Sequence, residues 1–399
     1  MVKSVKAIDI ARDFRDWLEL PMAAKRAQWA DRRQLRCDDP GVEACVRATY
    51  EWLGQAQERS ATADGGIARH YSLIDGWGPS YPETTGYLVP TILRCAERFA
   101  DQAGCERARR MLDWLLSIQF ASGAFRGGTV ADMPDVPVAF NTGQILIGLA
   151  AGAETFGEPY REAMLRAAHW LMDIQESDGQ WKAFESPFAR PGDKAYDAHS
   201  AWGLFEAARV AKDPSIGDAA MLSVTWAMTK QADNGWIDDC CLTDPEKPLT
   251  HTLGYALKGI VEAHRFSGDE AMLAAARRTA DGIITAIGAD GFLPGRLSRD
   301  WQAVAGWACL TGSAQVALSL LYLYQVTGVD TYLEQGSRLN AYVRRTLNLA
   351  IPGPTLGGIR GSYPVSGDYG RFQYLNWAAK FFIDANLLEH EIRAADHGD

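Results

Sequence analysis

Four stretches decide how this chain folds: IQFASGAF (118–125), IQESDGQW (174–181), KQADNGWI (230–237) and IGADGFLP (287–294). Each is the end of a helical pattern running into a glycine turn, and the glycines are Gly123, Gly179, Gly235 and Gly291. Each follows the last by 56 residues, a spacing that marks an internal structural repeat. Two looser copies flank them. DGGIARH carries Gly66, 57 residues before Gly123, and LGGIRGSY carries Gly358, 67 residues after Gly291. Six units result.

Every unit reads alike. An amphipathic helix such as ERARRMLDWLLSIQ or REAMLRAAHWLMDIQ stops at the glycine, the residue that most readily ends a helix. A long connection follows, near 59–82, 121–139, 177–196, 232–250, 288–306 and 350–372. Then comes a helix apolar nearly all round and rich in Gly and Ala, such as NTGQILIGLAAGAETF or HTLGYALKGIVEAHRF. The first type carries charge on one face and belongs outside; the second suits close contacts on an inner ring. The predicted fold is therefore all-α, an (α/α)6 toroid over residues 41–399, with residues 1–40 as an N-terminal helical arm. Links between inner and outer helices (GEP, KDP, SGD, TGV) are short, so the long connections gather on one face. Connections beyond about 15 residues are uncommon unless they serve function. That face is the expected site.

Composition sets outer limits. With 47% hydrophobic and 23% charged residues, the 399-residue chain has material for a large core. A formal net charge of −10 and the lack of a Lys/Arg-rich run exclude a nucleic-acid stripe and disfavour an anionic membrane surface. No stretch of 18 uninterrupted apolar residues predicts membrane insertion, and the charged N-terminus is unlike a secretory signal. Seven cysteines without framework spacing read as reduced thiols, mostly in helices, and point to the cytoplasm. DDCC (238–241) with His251 mixes oxygen, sulfur and nitrogen ligands, but there is no CxxC pair and no HExxH. No metal and no cofactor is assigned, and the oligomeric state is left open.

The long connections and the starts of the inner helices interleave aromatic with polar residues, as a saccharide site requires. Aromatic faces cover the C–H faces of pyranose rings and fixed polar groups select hydroxyls. The substrate-binding set predicted on this basis is Trp77, Tyr81, Arg126, Asn141, Tyr196, Trp236, Trp301, Arg360, Tyr363, Arg371, Tyr374 and Asn376. Two mechanisms stand open. Glycoside hydrolysis needs a proton donor and a second carboxylate, and Glu83 with Asp197 supplies the pair, each at the start of an inner helix. The competing reading is that both only cap their helices. Proton abstraction beside a uronate carboxylate needs a base and an arginine clamp instead; His199, His251 and Tyr369 are the candidate bases.

Two resemblances follow from these residues. Gln119 to Gly123, Gln175 to Trp181 and Gln231 to Trp236 resemble the QW turns of terpenoid cyclase and prenyltransferase toroids, and LTHTLGYALKGI is loosely similar to the zinc-histidine helix of prenyltransferase β subunits. That resemblance implies an isoprenoid enzyme with Asp239, Cys241 and His251 as ligands. YPETTGYLVPTIL, FNTGQILIGL, HTLGYALKGI, CLTGSAQVAL and GIRGSYPVSGDY together resemble six-hairpin carbohydrate-active proteins, in particular VpsJ-like proteins of bacterial exopolysaccharide biosynthesis. This second resemblance implies a role on a surface polysaccharide, as a glycoside hydrolase, a uronate C5-epimerase or lyase, or a non-catalytic glycan-binding scaffold.

Overall fold

The computed structural model describes residues 17–32 and 35–397. A short helix α1 (Met22–Asp31) precedes six antiparallel helix pairs. The outer members are α2 (Val42–Glu58), α4 (Gln102–Ile118), α6 (Tyr160–Asp173), α8 (Pro214–Met228), α10 (Glu270–Ile284) and α12 (Asp330–Arg345). The inner members are α3 (Pro82–Arg98), α5 (Ala139–Phe156), α7 (Ser200–Ala211), α9 (Thr250–Ser267), α11 (Leu310–Thr327) and α13 (Asn376–His397). Each inner helix packs on the next, and α13 returns to α3. The ring is closed, as the 56-residue rhythm predicts.

The repeat glycines have a physical reason. Gly123, Gly179, Gly235 and Gly291 all have positive φ, between 80° and 97°. A Cβ on each would lie 2.1–2.5 Å from a carbonyl oxygen of the following outer helix, that of Arg166, Leu222, Arg278 and Arg338 in turn. Only a residue without a side chain lets one hairpin seat against the next. The flanking copies are corrected by one residue. Gly65 (φ 106°) abuts Arg110 O, and Gly357 (φ 77°) abuts Ala48 O on α2, so these are the turn glycines rather than Gly66 and Gly358. The glutamine ahead of the turn acts as a clasp: Gln119 Nε2 donates to Gly123 O and Ala163 O, and Gln175 Nε2 to Gly179 O and Ala219 O.

The six long connections do emerge together, and backbone hydrogen bonds join each to its neighbour. Val130 N donates to Ser80 O, Ala139 N to Phe184 O, Ala195 N to Asp239 O and Thr250 N to Gly295 O. Strands β3 (Ala308–Cys309) and β4 (Ser362–Tyr363) pair the fifth with the sixth. Strands β1 (His70–Ser72) and β5 (Gln373–Leu375), with β2 (Gly76–Trp77) beside β1, pair the sixth with the first. A crown of linked backbone thus surrounds the inner-helix N-termini.

Below the crown the axis is filled. Helices α7 and α13 stand opposite each other, yet Lys380 Nζ on α13 lies 4.6 Å from the Trp202 ring on α7, and Lys258 Nζ on α9 lies 4.6 Å from the same ring. Lys380 is wholly buried and pairs with Asp384 Oδ2 at 2.6 Å; Lys258 pairs with Glu262. Phe381 reaches across to His199 and Tyr255, with ring centroids 6.0 and 6.1 Å away. The toroid is a cup rather than a tube.

Part of the expected arm lies outside the described residues; Asp31 at the end of α1 is tied to the sixth connection through Arg360 and Val365 N. Among the described residues no helix is long and apolar enough to cross a membrane. The seven cysteines are free thiols, but only Cys45, Cys95 and Cys105 lie in helices, so the expectation that most are helical is corrected. A Gly235→Ala variant should lose about 3 kcal/mol, because both the positive φ and the carbonyl contact oppose a methyl group. Gly268→Ala, also at positive φ but facing open space, should lose about 1 kcal/mol in the same urea titration.

Candidate active site

The crown encloses a cavity of about 770 Å³ whose floor is the aromatic plug and whose wall draws on the first to fourth and the sixth connections. Of the predicted catalytic groups, Glu83, Asp197, His251 and Tyr369 line it. Of the predicted binding groups, Tyr81, Asn141, Tyr196 and Arg371 do.

Glu83 stands in the first turn of α3, with Pro82 fixing the backbone as the helix begins. Its carboxyl does not cap the helix. Instead Oε2 accepts from the Tyr81 hydroxyl at 2.5 Å and from Asn141 Nδ2 at 3.0 Å, the latter reaching across from α5. The side chain is 6% exposed. Burial pushes its pKa from an ordinary 4.5 up to about 7, against the opposing pull of the Tyr81 hydroxyl and the Arg69 charge.

Asp197 lies in the 3₁₀ turn Ala195–His199 ahead of α7 and also makes no cap. Its Oδ1 is buried without a hydrogen-bond partner. Burial raises this carboxyl from 3.8 to about 7, with Lys194 pulling it down and Glu185 pushing it up. Lys194 Nζ in turn bridges to Glu185 at 3.2 Å. A buried acceptor left unpaired is costly in a folded protein and marks where a ligand or water is wanted. Neither carboxyl serves as a helix cap.

The histidines form a matched pair. His199 Nδ1 bonds Gln144 Oε1 at 2.7 Å and His251 Nδ1 bonds Gln315 Oε1 at 2.9 Å. Because an amide oxygen only accepts, Nδ1 carries the proton in both and Nε2 keeps its lone pair. Burial lowers His251 to about 4 and His199 well below its ordinary value, so both rings are neutral at neutral pH. The Tyr255 ring lies between them, 4.2 Å from His199 and 4.3 Å from His251. His199 sits beneath the cavity, sealed by these rings, and does not line it. Tyr369 accepts a hydrogen bond from Trp377 Nε1 at 2.9 Å, and burial raises its pKa well above 10. Its hydroxyl is therefore neutral at neutral pH, which opposes the role of base.

Several predicted binding residues do structural work away from the cavity. Arg126 braces its own loop through Val130 O and Asp135, and Arg360 is taken by Asp31. Neither lines the cavity. Trp236 and Trp301 pack on each other at 5.2 Å, and the Trp301 ring covers Gly282 of α10 on the outer wall. Trp77 packs against Trp52 and Tyr71. Tyr363 belongs to β4 near Tyr342, and Tyr374 to β5 against Tyr71. Asn376 Nδ2 ties α13 to Ala68 O and Thr84 Oγ1. Asp239 pairs with Lys230, Cys241 Sγ turns to Thr243, and no group of three His, Cys, Asp or Glu converges among the described residues, so the isoprenoid ligand set is not assembled.

Sequence reasoning missed Arg69, whose guanidinium lies 5.1 Å over the Trp377 ring in the cavity wall, as well as Trp377 and Lys194. Lys194 was detectable, being three residues ahead of Asp197. Trp181 was read both as a residue of the third connection at the expected face and as part of a QW turn, Tyr255 only as part of the LTHTLGYALKGI stretch, and both line the cavity.

The Glu83 shift has a sign that can be checked. A carboxyl raised on folding contributes stability that is full below its unfolded value near 4.5 and is lost as pH rises through about 7. Glu83→Gln should therefore match the wild type near pH 4.5 and exceed it by about 2–3 kcal/mol at pH 8. A stability difference that stays constant over that range in chemical denaturation would contradict the buried, raised carboxyl.

No family model matches the chain, and no curated protein matches it in sequence. Solved structures do match in shape. An unsaturated glucuronyl hydrolase specific for heparin superposes with a TM-score of 0.71 at 16% identity, over 89% of this chain and 98% of that one. A D-mannose isomerase gives 0.69 at 12% identity, over 90% and 100%. A cellobiose 2-epimerase from Bacillus thermoamylovorans gives 0.67 at 11% identity, over 87% and 97%. At these identities the likeness establishes the shared architecture: the chain is an (α/α)6 toroid.

Proposed function

We propose that this protein is an enzyme acting on a saccharide in the central cup, by general acid and base catalysis from Glu83 and Asp197. The observation that carries the proposal is that two carboxyls, on different elements of one cavity, are both raised to about 7 and neither serves as a cap. Perturbed carboxyls of this kind cluster at catalytic sites. The structural neighbours, named for glucuronyl hydrolysis, mannose isomerisation and cellobiose epimerisation, support a carbohydrate substrate. The resemblance to VpsJ-like proteins supports a bacterial surface polysaccharide, or a precursor of one, as its source.

Roles follow from the hydrogen bonds. Oε2 of Glu83 already accepts twice, so its proton resides on Oε1, from which it passes to the departing glycosidic oxygen. The Lys194 charge favours the ionised form of Asp197, whose unpaired Oδ1 takes a proton from the attacking water. The aromatic groups Tyr196, Trp181 and Trp377 supply apolar faces for the sugar.

A second reading rests on His251, a neutral base with its Nε2 lone pair free of the Gln315 contact, in the same cavity. It fits proton abstraction from carbon beside a carbonyl, the step of an epimerase or isomerase. An isoprenoid substrate is disfavoured by a wall carrying Glu83, Asp197, Lys194 and Arg69. A non-catalytic scaffold has no use for carboxyls held near neutrality at a cost in stability.

Under the hydrolytic reading, Glu83→Gln and Asp197→Asn each lower turnover about a thousandfold and leave saccharide affinity within a few-fold. The rate is bell-shaped around pH 7, falling above it as Glu83 ionises and below it as Asp197 protonates. Hydrolysis in deuterated water leaves no deuterium on carbon. Carbon-bound deuterium in the product, with activity lost in His251→Asn and kept in Glu83→Gln, would instead establish the epimerase reading.

A further inference from the structure

The third connection carries two phenylalanines, Phe184 and Phe188, that line the cavity yet remain 43% and 50% exposed. Their positions are fixed. Phe184 O accepts from Ala139 N at the mouth of α5, and its ring lies 5.3 Å from Trp170. Phe188 leans across to the second connection, where Gly127 and Gly128 leave room for it; a Cβ on Gly128 would meet Phe188 Cε2 at 2.7 Å. Isolated exposed apolar residues are ordinary, but two close together on one connection at the lip of a polar cavity form a directed surface. Fully burying a phenylalanine is worth roughly 1.5–3 kcal/mol, and these two forgo much of it.

The remainder of the cup says what would cover them. The acid and base lie deeper, at the inner-helix starts, and the floor is plugged by Trp202, Lys380 and Phe381, so a ligand enters and leaves by the mouth. The 770 Å³ cavity is larger than one hexose fills. A saccharide placed with one ring at Glu83 and Asp197 must project its remaining rings toward the lip. Beside the two phenylalanines stand Thr129 and Glu185, whose oxygens suit ring hydroxyls.

We propose that Phe184 and Phe188 form a second sugar subsite, so that the protein takes the end of an oligosaccharide chain whose next ring stacks on this lip between the second and third connections. The proposal rests on the saccharide reading above and goes beyond it in substrate class: a chain terminus of at least two rings, not a free monosaccharide. Stacking on a half-exposed aromatic face removes apolar area from water on both partners.

The experiment uses a glycan array of hexose and hexuronate mono-, di- and trisaccharides, followed by titration calorimetry on the series bound best. Wild-type protein should bind the disaccharide about tenfold tighter than its monosaccharide. Phe188→Ala should abolish that increment while leaving monosaccharide affinity unchanged, and Phe188→Trp should keep it. Circular dichroism melting checks that both variants are folded; should Phe188→Ala not fold, Phe184→Ala carries the same expectation. Equal affinity for one ring and two, or an increment that survives both alanine variants, overturns the lip subsite while leaving the saccharide reading standing. Binding of no sugar on the array overturns the saccharide reading, and the subsite with it.

Discussion

Everything in this molecule depends on one close contact, made repeatedly: a turn glycine laid against a carbonyl of the next outer helix. With a Cβ at 2.1–2.5 Å from that oxygen in the four regular copies, the hairpins would be forced apart. Removing the side chain allows backbone to approach backbone, and the preceding glutamine then spans the seam from Gln119, Gln175 and Gln231 to the neighbouring hairpin. The same contact at Gly357 against Ala48 O carries the last hairpin back onto the first. Packing geometry at these seams sets the angle at which the ring shuts.

Closure in turn creates the site. Once each outer helix is clasped to its neighbour, the connections that follow have nowhere to run but across the inner-helix starts, and their backbones bond to one another all round. Side chains held there lose water without gaining full complements of partners. Glu83 and Asp197 are the result: carboxyls kept near neutrality by burial, with Arg69 and Lys194 preventing a larger rise. The histidines respond oppositely to the same burial and are neutral, with Gln144 and Gln315 choosing which nitrogen keeps its proton.

The architecture was readable in the chain because it rests on spacing, and spacing survives in a single sequence. That Glu83 and Asp197 line the cavity was legible for a related reason: they occupy inner-helix starts, positions the repeat itself locates. Where glycines occur in pairs, as in DGG and LGG, spacing alone chose the wrong member, since only φ and the facing carbonyl distinguish Gly65 from Gly66 and Gly357 from Gly358. Most of the aromatic and arginine residues assigned to binding do not line the cavity. Trp236 shares the fourth connection with the wall residue Leu242, whereas no residue of 288–306, the connection that holds Trp301, lines the cavity; whether a loop side chain faces the cavity or the outer helices is settled by pairing across distant segments. Arg69 illustrates the converse: it precedes β1, a strand whose longer pairing is with residues 373–375, far along the chain. No local pattern announces such a residue.

The pairing of β1 with β5 has a consequence for how the chain is ordered. Open helical arrays expose an apolar flank at each extremity and must shield it with atypical units. Here the sixth unit shields the first, and both flanks vanish. No hairpin is structurally foremost. The two- and three-residue links at the base, such as Gly268–Asp269, are joints at which an identical molecule can be written starting from a different residue.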